Sequence, residues 1–552
     1  MKKSGFLGGA FISTFCIIIC KIVGLLYVIP FYSIIGDSGG ALYAYAYTIY
    51  SLFLTLSSQG IPVAMSKIIS EYNTLNYHWS KQQAYKIVRN LMVAIGVASF
   101  ILIMIFAKPI AHLIIGEIEG GNTIEDVALV IRTISIALIV VPFLSTIKGY
   151  LSGHKYLTQY ALSNVIEQLV RVSFILVGSY IAAKVLKLNT PVVVAVSTLG
   201  ATIGAFVSYL YLKFKKNKNK ELFNITAKKT EAERKLTRKK ILKRIVLVAL
   251  PFVLIDFIRS IYSIVDTFTL NTTLTKLGYT LSESEYTLSV ISTWGSKLNM
   301  IIIAFVSGLT LSLIPNIASS HINGDMKDVN NKINQSFQII MFVNLPMVLG
   351  LHLLAGPVWN MFYGNNIMGI ELFSLYIFQA LTFSFYSISI DSAQIMGNTK
   401  LALSALFGSF LLKAILNVPF MYLFNAIGLK AGYAPIVLNL ILHMATTIVI
   451  AVVQSKKYGL NYKQSFNPIL KSILIALIMF VSLKIMALFI PVDIEATKLT
   501  HFLLSLLYGV VGGAIYIITS YRYNLIDRVF KVDSRALLTK ILIKLKLKKS
   551  TN

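Results

Sequence analysis

The chain has 552 residues, of which 56% are hydrophobic and only 13% charged, and its mean hydropathy is +0.73. Soluble domains are about 45–50% apolar and about 25% charged, so this composition excludes a secreted enzyme, a cytosolic enzyme and a disordered scaffold. The 51 Lys and Arg against 22 Asp and Glu give +29, which in a soluble protein points to nucleic acid and in a membrane protein belongs on cytoplasmic loops. Gathered into spans of roughly 20 residues, the apolar residues make about fourteen membrane helices.

Apolar runs of spanning length predict helices over 6–35, 41–62, 86–111, 127–148, 158–184, 190–212, 245–274, 289–314, 335–356, 370–392, 400–425, 432–454, 468–490 and 500–521. The first run follows Lys2 and Lys3 but has no small-residue cleavage site, so it reads as a retained helix. Cys16 and Cys20, one helical turn apart within it, are too few for a disulfide framework or metal cluster and read as small apolar packing. The loops then alternate in charge. Those at 63–85 (Lys67, Lys81), 149–157 (Lys155), 213–244 and 455–467 are basic, whereas 112–126, 275–288 and 491–499 are acidic. An even helix count with both termini cytoplasmic satisfies this pattern, with Lys184 and Lys187 as exceptions.

The 213–244 segment carries fourteen Lys or Arg and three Glu. Thr230 and Glu233 in it have the capping-box spacing and predict a surface helix. The tail places Leu538, Ile541, Leu542 and Leu545 on one helical face and Lys540, Lys544 and Lys548 on another, the pattern of an interfacial helix on anionic lipid. Neither basic stretch is read as a nucleic-acid site. Ala107-Lys108-Pro109-Ile110 recurs as Ala355-Gly356-Pro357-Val358, Ile61 to Ser66 faces Ile314 to Ser319, and Gly153 faces Gly397, in the same order at nearly constant offset. The fold expected is therefore all-α and polytopic, with two parallel six-helix repeats forming two lobes around a central cavity. The divisions expected are an N-terminal lobe 1–212, a basic linker 213–244, a C-terminal lobe 245–454, an extra helix pair 455–522 and a basic tail 523–552.

Several stretches carry a likeness to a known group: Lys21 to Pro30, Gly36 with Tyr43 to Tyr50, Gly60-Ile61-Pro62-Val63-Ala64-Met65-Ser66-Lys67, Asp266 with Leu274, and Ser312 to Pro315 followed by Gly324-Asp325. In these the chain resembles the stage V sporulation protein B and YtgP group of the multidrug/oligosaccharidyl-lipid/polysaccharide exporter superfamily, related to MurJ-type lipid II flippases. The resemblance implies fourteen helices, a central cavity between two lobes, and flipping of an undecaprenyl-linked cell-wall precursor from the inner to the outer leaflet of the cytoplasmic membrane. It also suits a Gram-positive type of envelope.

Charges within spans are costly enough that each needs a partner, a cavity or a role. Lys21 and Arg259 lie near the middles of equivalent helices, where they could face each other and hold a pyrophosphate, or be neutralised by a carboxylate in a gate. Asp256, Arg259, Ser260, Ser263, Asp266 and Thr267 form one polar stripe, in which Asp256 pairs with Arg259. Asp266 is then either a coupling site for Na⁺ or H⁺ or a helix-end carboxylate. Lys297 and Asn299 extend the cationic wall, unless Lys297 snorkels outward. Glu167 and Arg171, four apart, neutralise each other. Lys413 and Asn417 are a second-lobe counterpart, and Lys67 follows the Gly-Ile-Pro motif. Tyr43, Tyr47 and Tyr50 either stack sugars or pack, and Trp79, Trp294 and Trp359 read as interfacial anchors.

No phosphate loop of the Gly-x-x-x-x-Gly-Lys-Ser/Thr kind and no His-Glu-x-x-His occurs, so the chain reads as a transporter that is not an enzyme and needs no cofactor. The function expected is an alternating-access flippase for a polyprenyl-linked sugar lipid. The alternatives are a cation-coupled multidrug exporter of the same superfamily, or a non-transporting scaffold that recruits cell-wall enzymes. Lys21→Ala and Arg259→Ala are expected to reach the membrane yet fail to flip, and deletion of 213–244 separates the flippase, which keeps its transport, from the scaffold, which loses its function.

Overall fold

The computed structural model describes residues 16, 19–58, 61–115, 122–154, 156–219, 223, 228–231, 233–234, 236–300, 302–303, 317, 320–321, 323–491, 496–531 and 533. Among the described residues the regular structure is all helix, and ten helices are long and apolar enough to cross a membrane. Ile19–Leu26 and Val28–Thr55, bent by 43° at Tyr27, add an eleventh if they count as one span. The count of fourteen is not established: the first two expected spans form that one bent pair, the helix of the seventh, Arg238–Lys276, is not among the ten, and 304–314 of the eighth lies outside the described residues, as do the hinge candidate Pro315 and the amphipathic tail face 538–545.

Local sequence sets most helix ends. Thr123 and Asp126 close a reciprocal capping box before Ile124–Ser135, and Thr280 with Glu283 does the same for Leu281–Ser289. Asn189 caps Thr190–Lys218 just ahead of Pro191. The first two expected spans are separated at Gly36, where φ of +64° breaks the helical path inside Val28–Ser58.

Three expectations need correction. The 63–85 loop is mostly helical: Ile61–Thr74 and His78–Ile115 meet at a turn in which Asn76 is left-handed. Lys67 is exposed on the first of these helices, whereas Lys81 is buried and donates to Asn73 Oδ1 at 2.9 Å. Thr230 donates its N–H and its hydroxyl to Glu233 Oε2, but the Glu233 N–H returns to the Thr230 carbonyl and closes a turn, and the helix begins at Arg238 with Thr237 as its cap. Trp294 and Trp359 are fully buried and so are not interfacial anchors: Trp294 packs edge-on to Tyr32, and Trp359 packs on Tyr363 and Phe373.

The chain packs as two compact units, 1–298 with 406–438, and 299–405 with 439–552. In the first unit, Met65, Ile68, Tyr72, Val88, Tyr150, Leu212 and Ile241 share one core with Phe223 of the basic linker. The linker is anchored to the same core by Gln82, whose amide donates to Phe223 O and Tyr150 Oη, and by Glu233, which accepts from Ser80 N–H. Burial opposes the charge on Glu233, but the Ser80 and Thr230 hydrogen bonds outweigh it and hold the carboxyl below its ordinary range. In the second unit Val329, Ile333, Ile340, Ile388, Met396 and Leu460 form the core.

Candidate functional site

The sequence-predicted cations fall into two groups, both within the first unit. Lys21 on Ile19–Leu26 and Lys297, just after the π-helical turn Val290–Trp294, join Arg171 of Leu157–Tyr180. Arg171 acts electrostatically on both Lys21 and Lys297. All three side chains are half-buried. Among the described residues no carboxylate makes an ion pair with any of them; the guanidinium of Arg171 donates to Gln168 Oε1 and the ammonium of Lys297 to Tyr27 Oη at 2.7 Å.

Aromatic rings take the place of counter-charges. Lys297 Nζ lies 4.7 Å from the Tyr27 ring centre, 5.0 Å from Tyr43 and 4.7 Å from Trp294. Tyr43 stacks on Tyr47 at 5.7 Å and on Trp294 at 5.9 Å. Each ring face offers about 2 kcal/mol or more to a desolvated cation, which steadies the ammonium without neutralising it. The expected choice between sugar stacking and packing for these tyrosines is thus partly resolved, since Tyr43 and Tyr50 are buried in a ring cluster and Tyr47 is half-exposed.

Glycines bring these parts together. A Cβ on Gly204 would stand 2.7 Å from Glu167 O and one on Gly200 2.9 Å from Arg171 O, so the helix bearing Arg171 packs backbone against backbone on Thr190–Lys218. A Cβ on Gly40 would stand 3.0 Å from Trp294 Nε1, which seats that ring beside Lys297. Glu167 is shared: Lys148 makes the ion pair with its Oε2 at 2.6 Å, and Arg171 stays within its electrostatic reach. The i, i+4 spacing gave one of the two partners, and the ion-paired one comes from the neighbouring helix Ala137–Gly153.

The second group is sealed. Asp266, Lys413 and Asn417, predicted separately, converge: Lys413 Nζ is 2.6 Å from Asp266 Oδ2, and Asn417 Nδ2 lies 3.2 Å from Asp266 Oδ1 and 2.8 Å from Thr269 Oγ1. Lys413 is 0% exposed and lies over the Tyr262 ring at 4.4 Å. Both oxygens of Asp266 are therefore occupied, with an ammonium standing where a coupling cation would bind. Higher on the same helix, Asp256 and Arg259 are half-buried, and Ser260 bonds Thr55 Oγ1 at 2.7 Å across to Val28–Ser58. Asn299 opens the second unit and donates to Tyr376 O at 2.9 Å. Among the described residues no group of three or more His, Cys, Asp or Glu could hold a metal ion.

A family model described as polysaccharide biosynthesis protein matches residues 6–280. Over that stretch, just under half of its length, the chain is similar to this family. Over 534 residues it is 29% identical to the lipid II flippase MurJ of Bacillus subtilis (strain 168), covering 96% of this chain and 97% of that protein. Among solved structures it aligns with a lipid II flippase MurJ in an inward closed conformation at a TM-score of 0.66 and 17% identity, over 93% of this chain and 99% of that one. An inward-facing multidrug resistance MATE transporter of the MOP superfamily aligns at a TM-score of 0.63 and 16% identity, over 80% and 94%. These structural matches carry the fold, which the chain shares with both kinds of transporter.

Proposed function

We propose that this membrane protein is a flippase that moves a polyprenyl-pyrophosphate-linked cell-wall precursor of the lipid II class from the inner to the outer leaflet by alternating access. The observation that carries this reading is the cluster of Lys21, Arg171 and Lys297, half-buried and with no carboxylate ion-paired to any of them among the described residues, the nearby Glu167 being held by Lys148. An excess of cations over carboxylates in an apolar region calls for an anion from outside the chain. A pyrophosphate supplies it, with Arg171 offering a bidentate fork and the lysines point charges. Tyr47 and its stacked neighbours give a sugar an apolar face to lie on. The near full-length similarity to the MurJ flippase points to the same substrate class.

Asp256 and Arg259 then serve as a polar track along Arg238–Lys276, and Lys67, with the basic linker and tail, meets anionic lipid on the cytoplasmic face, where both termini lie. The multidrug alternative shares the fold but needs an acidic site for cationic substrates, and the clustered charges here are positive. Reconstitution in liposomes with a defined lipid II, scoring access of the head group from the outer side, tests the reading. Translocation that depends on Lys297 and Arg171 supports it; none by the folded wild-type protein overturns it.

A further inference from the structure

Glu167 has two cations within reach, and the fold gives it to one of them. On Leu157–Tyr180 it stands four residues before Arg171, the spacing of a helical ion pair. Lys148 approaches from Ala137–Gly153 and takes Oε2 at 2.6 Å; the two side chains are only 13% and 25% exposed, so the pair is shielded from water. Arg171 is left to Gln168, whose amide oxygen accepts from the guanidinium across one turn. Gln168 is itself buried. A neutral acceptor orients a guanidinium and leaves its charge unspent, whereas a carboxylate in the same place would cancel it.

This arrangement borders the cation cluster. Cys20, the residue before Lys21, lies within the electrostatic reach of Glu167, Arg171 and Lys148 together, and Tyr50 within that of Glu167 and Arg171. Gly204 fixes the turn that carries Glu167, since a Cβ there would stand 2.7 Å from Glu167 O. With that backbone held, the choice of partner is made by the Glu167 side chain. The cations that act on it are Lys148 and Arg171. While Lys148 occupies the carboxylate, Lys21, Arg171 and Lys297 present their charges undiminished. Without Lys148, Glu167 would turn to Arg171, and the cluster would lose its one bidentate donor.

We propose that Lys148 and Gln168 are positioning residues for the anion site: Lys148 holds Glu167 off Arg171, and Gln168 aims the guanidinium with a neutral oxygen, so that Arg171 stays available to a pyrophosphate. The proposal rests on the flippase reading for the identity of the anion. Both residues act through Arg171. Neutralising Lys148 therefore harms anion binding by way of Glu167, and removing the Glu167 charge as well cures the harm.

The test titrates undecaprenyl pyrophosphate into the full chain in detergent and follows aromatic fluorescence, since Trp294 lies beside Lys297. K148M and Q168E each put a carboxylate on Arg171 and should weaken binding by roughly 10–150-fold, the worth of one charge-assisted hydrogen bond. K148R should keep the wild-type affinity, and K148M/E167Q should recover it. Phenylglyoxal labelling, read at Arg171 by mass spectrometry, checks the pairing itself. Labelling should fall in K148M and Q168E and return in K148M/E167Q. Unchanged Arg171 labelling in K148M, or weak binding that persists in K148M/E167Q, overturns the proposal while leaving the flippase reading intact. Failure of the folded wild type to bind the lipid removes the flippase reading, and the labelling series still decides how Arg171 is held.

Discussion

Lys413 and Lys297 belong to the same compact unit, and each lies against aromatic rings, yet their settings are opposite. Lys413 is sealed, bound by Asp266 and flanked by Asn417. Lys297 is half-buried, held by rings and the Tyr27 hydroxyl, and shares its neighbourhood with the Arg171 guanidinium. A charge within a membrane span is thus not by itself a sign of substrate binding. What distinguishes a site is accessibility together with a missing counter-charge.

The largest effect should come from breaking the sealed pair. Removing one partner of a buried ion pair costs about 3–5 kcal/mol, so D266N and K413M should each lower the thermal midpoint in detergent sharply, while the D266N/K413M double variant recovers most of the loss. Equal stability of both single variants would remove the contrast between the clusters. At the open cluster the sign should reverse. K297M or R171Q should cut flipping by roughly 10–150-fold, the worth of one charge-assisted hydrogen bond of about 1.5–3 kcal/mol, yet leave the midpoint unchanged or raised, because an uncompensated cation is gone.

Smaller effects sharpen how the open cluster is held. G204A drives a methyl into Glu167 O and should cost about 1–3 kcal/mol through overpacking, with activity lost by displacement of Arg171; a wild-type rate would show that helix spacing does not position the guanidinium. Smallest is E233Q, at about 1–2 kcal/mol. Because the Glu233 carboxyl is held below its ordinary value of 4.5, linker docking should persist above that pH and be lost as acid reaches the lowered value. Limited proteolysis within the linker reads both the variant and the pH effect.

Most of the spans were legible because a bilayer imposes length and apolarity on each helix separately. Asp266, Lys413 and Asn417 were legible as intramembrane polar groups, but their union joins residues 147 and 151 positions apart, which no local pattern encodes. Arg171 was hidden by its own neighbourhood: a carboxylate four residues away is the usual partner on an isolated helix, and only the approach of Ala137–Gly153 reassigns Glu167 to Lys148. Trp294 was misplaced because tryptophan's preference for interfaces gives no hint of a glycine groove that admits the ring. Phe223 and Glu233 sit in a stretch so rich in lysine that nothing in its composition announces a core anchor.

The Asp266–Lys413 pair also has a history in time. The chain emerges from the ribosome in order, and 147 residues separate the two partners. At about 5–20 residues per second, Asp266 spends roughly 7–30 s in or near the bilayer before its lysine has been made. Until then the carboxyl must stay protonated, hydrated or shielded by the insertion machinery. The first unit therefore cannot mature as a simple N-terminal module; its last charge is balanced only after the 406–438 segment has been synthesised and has returned to it.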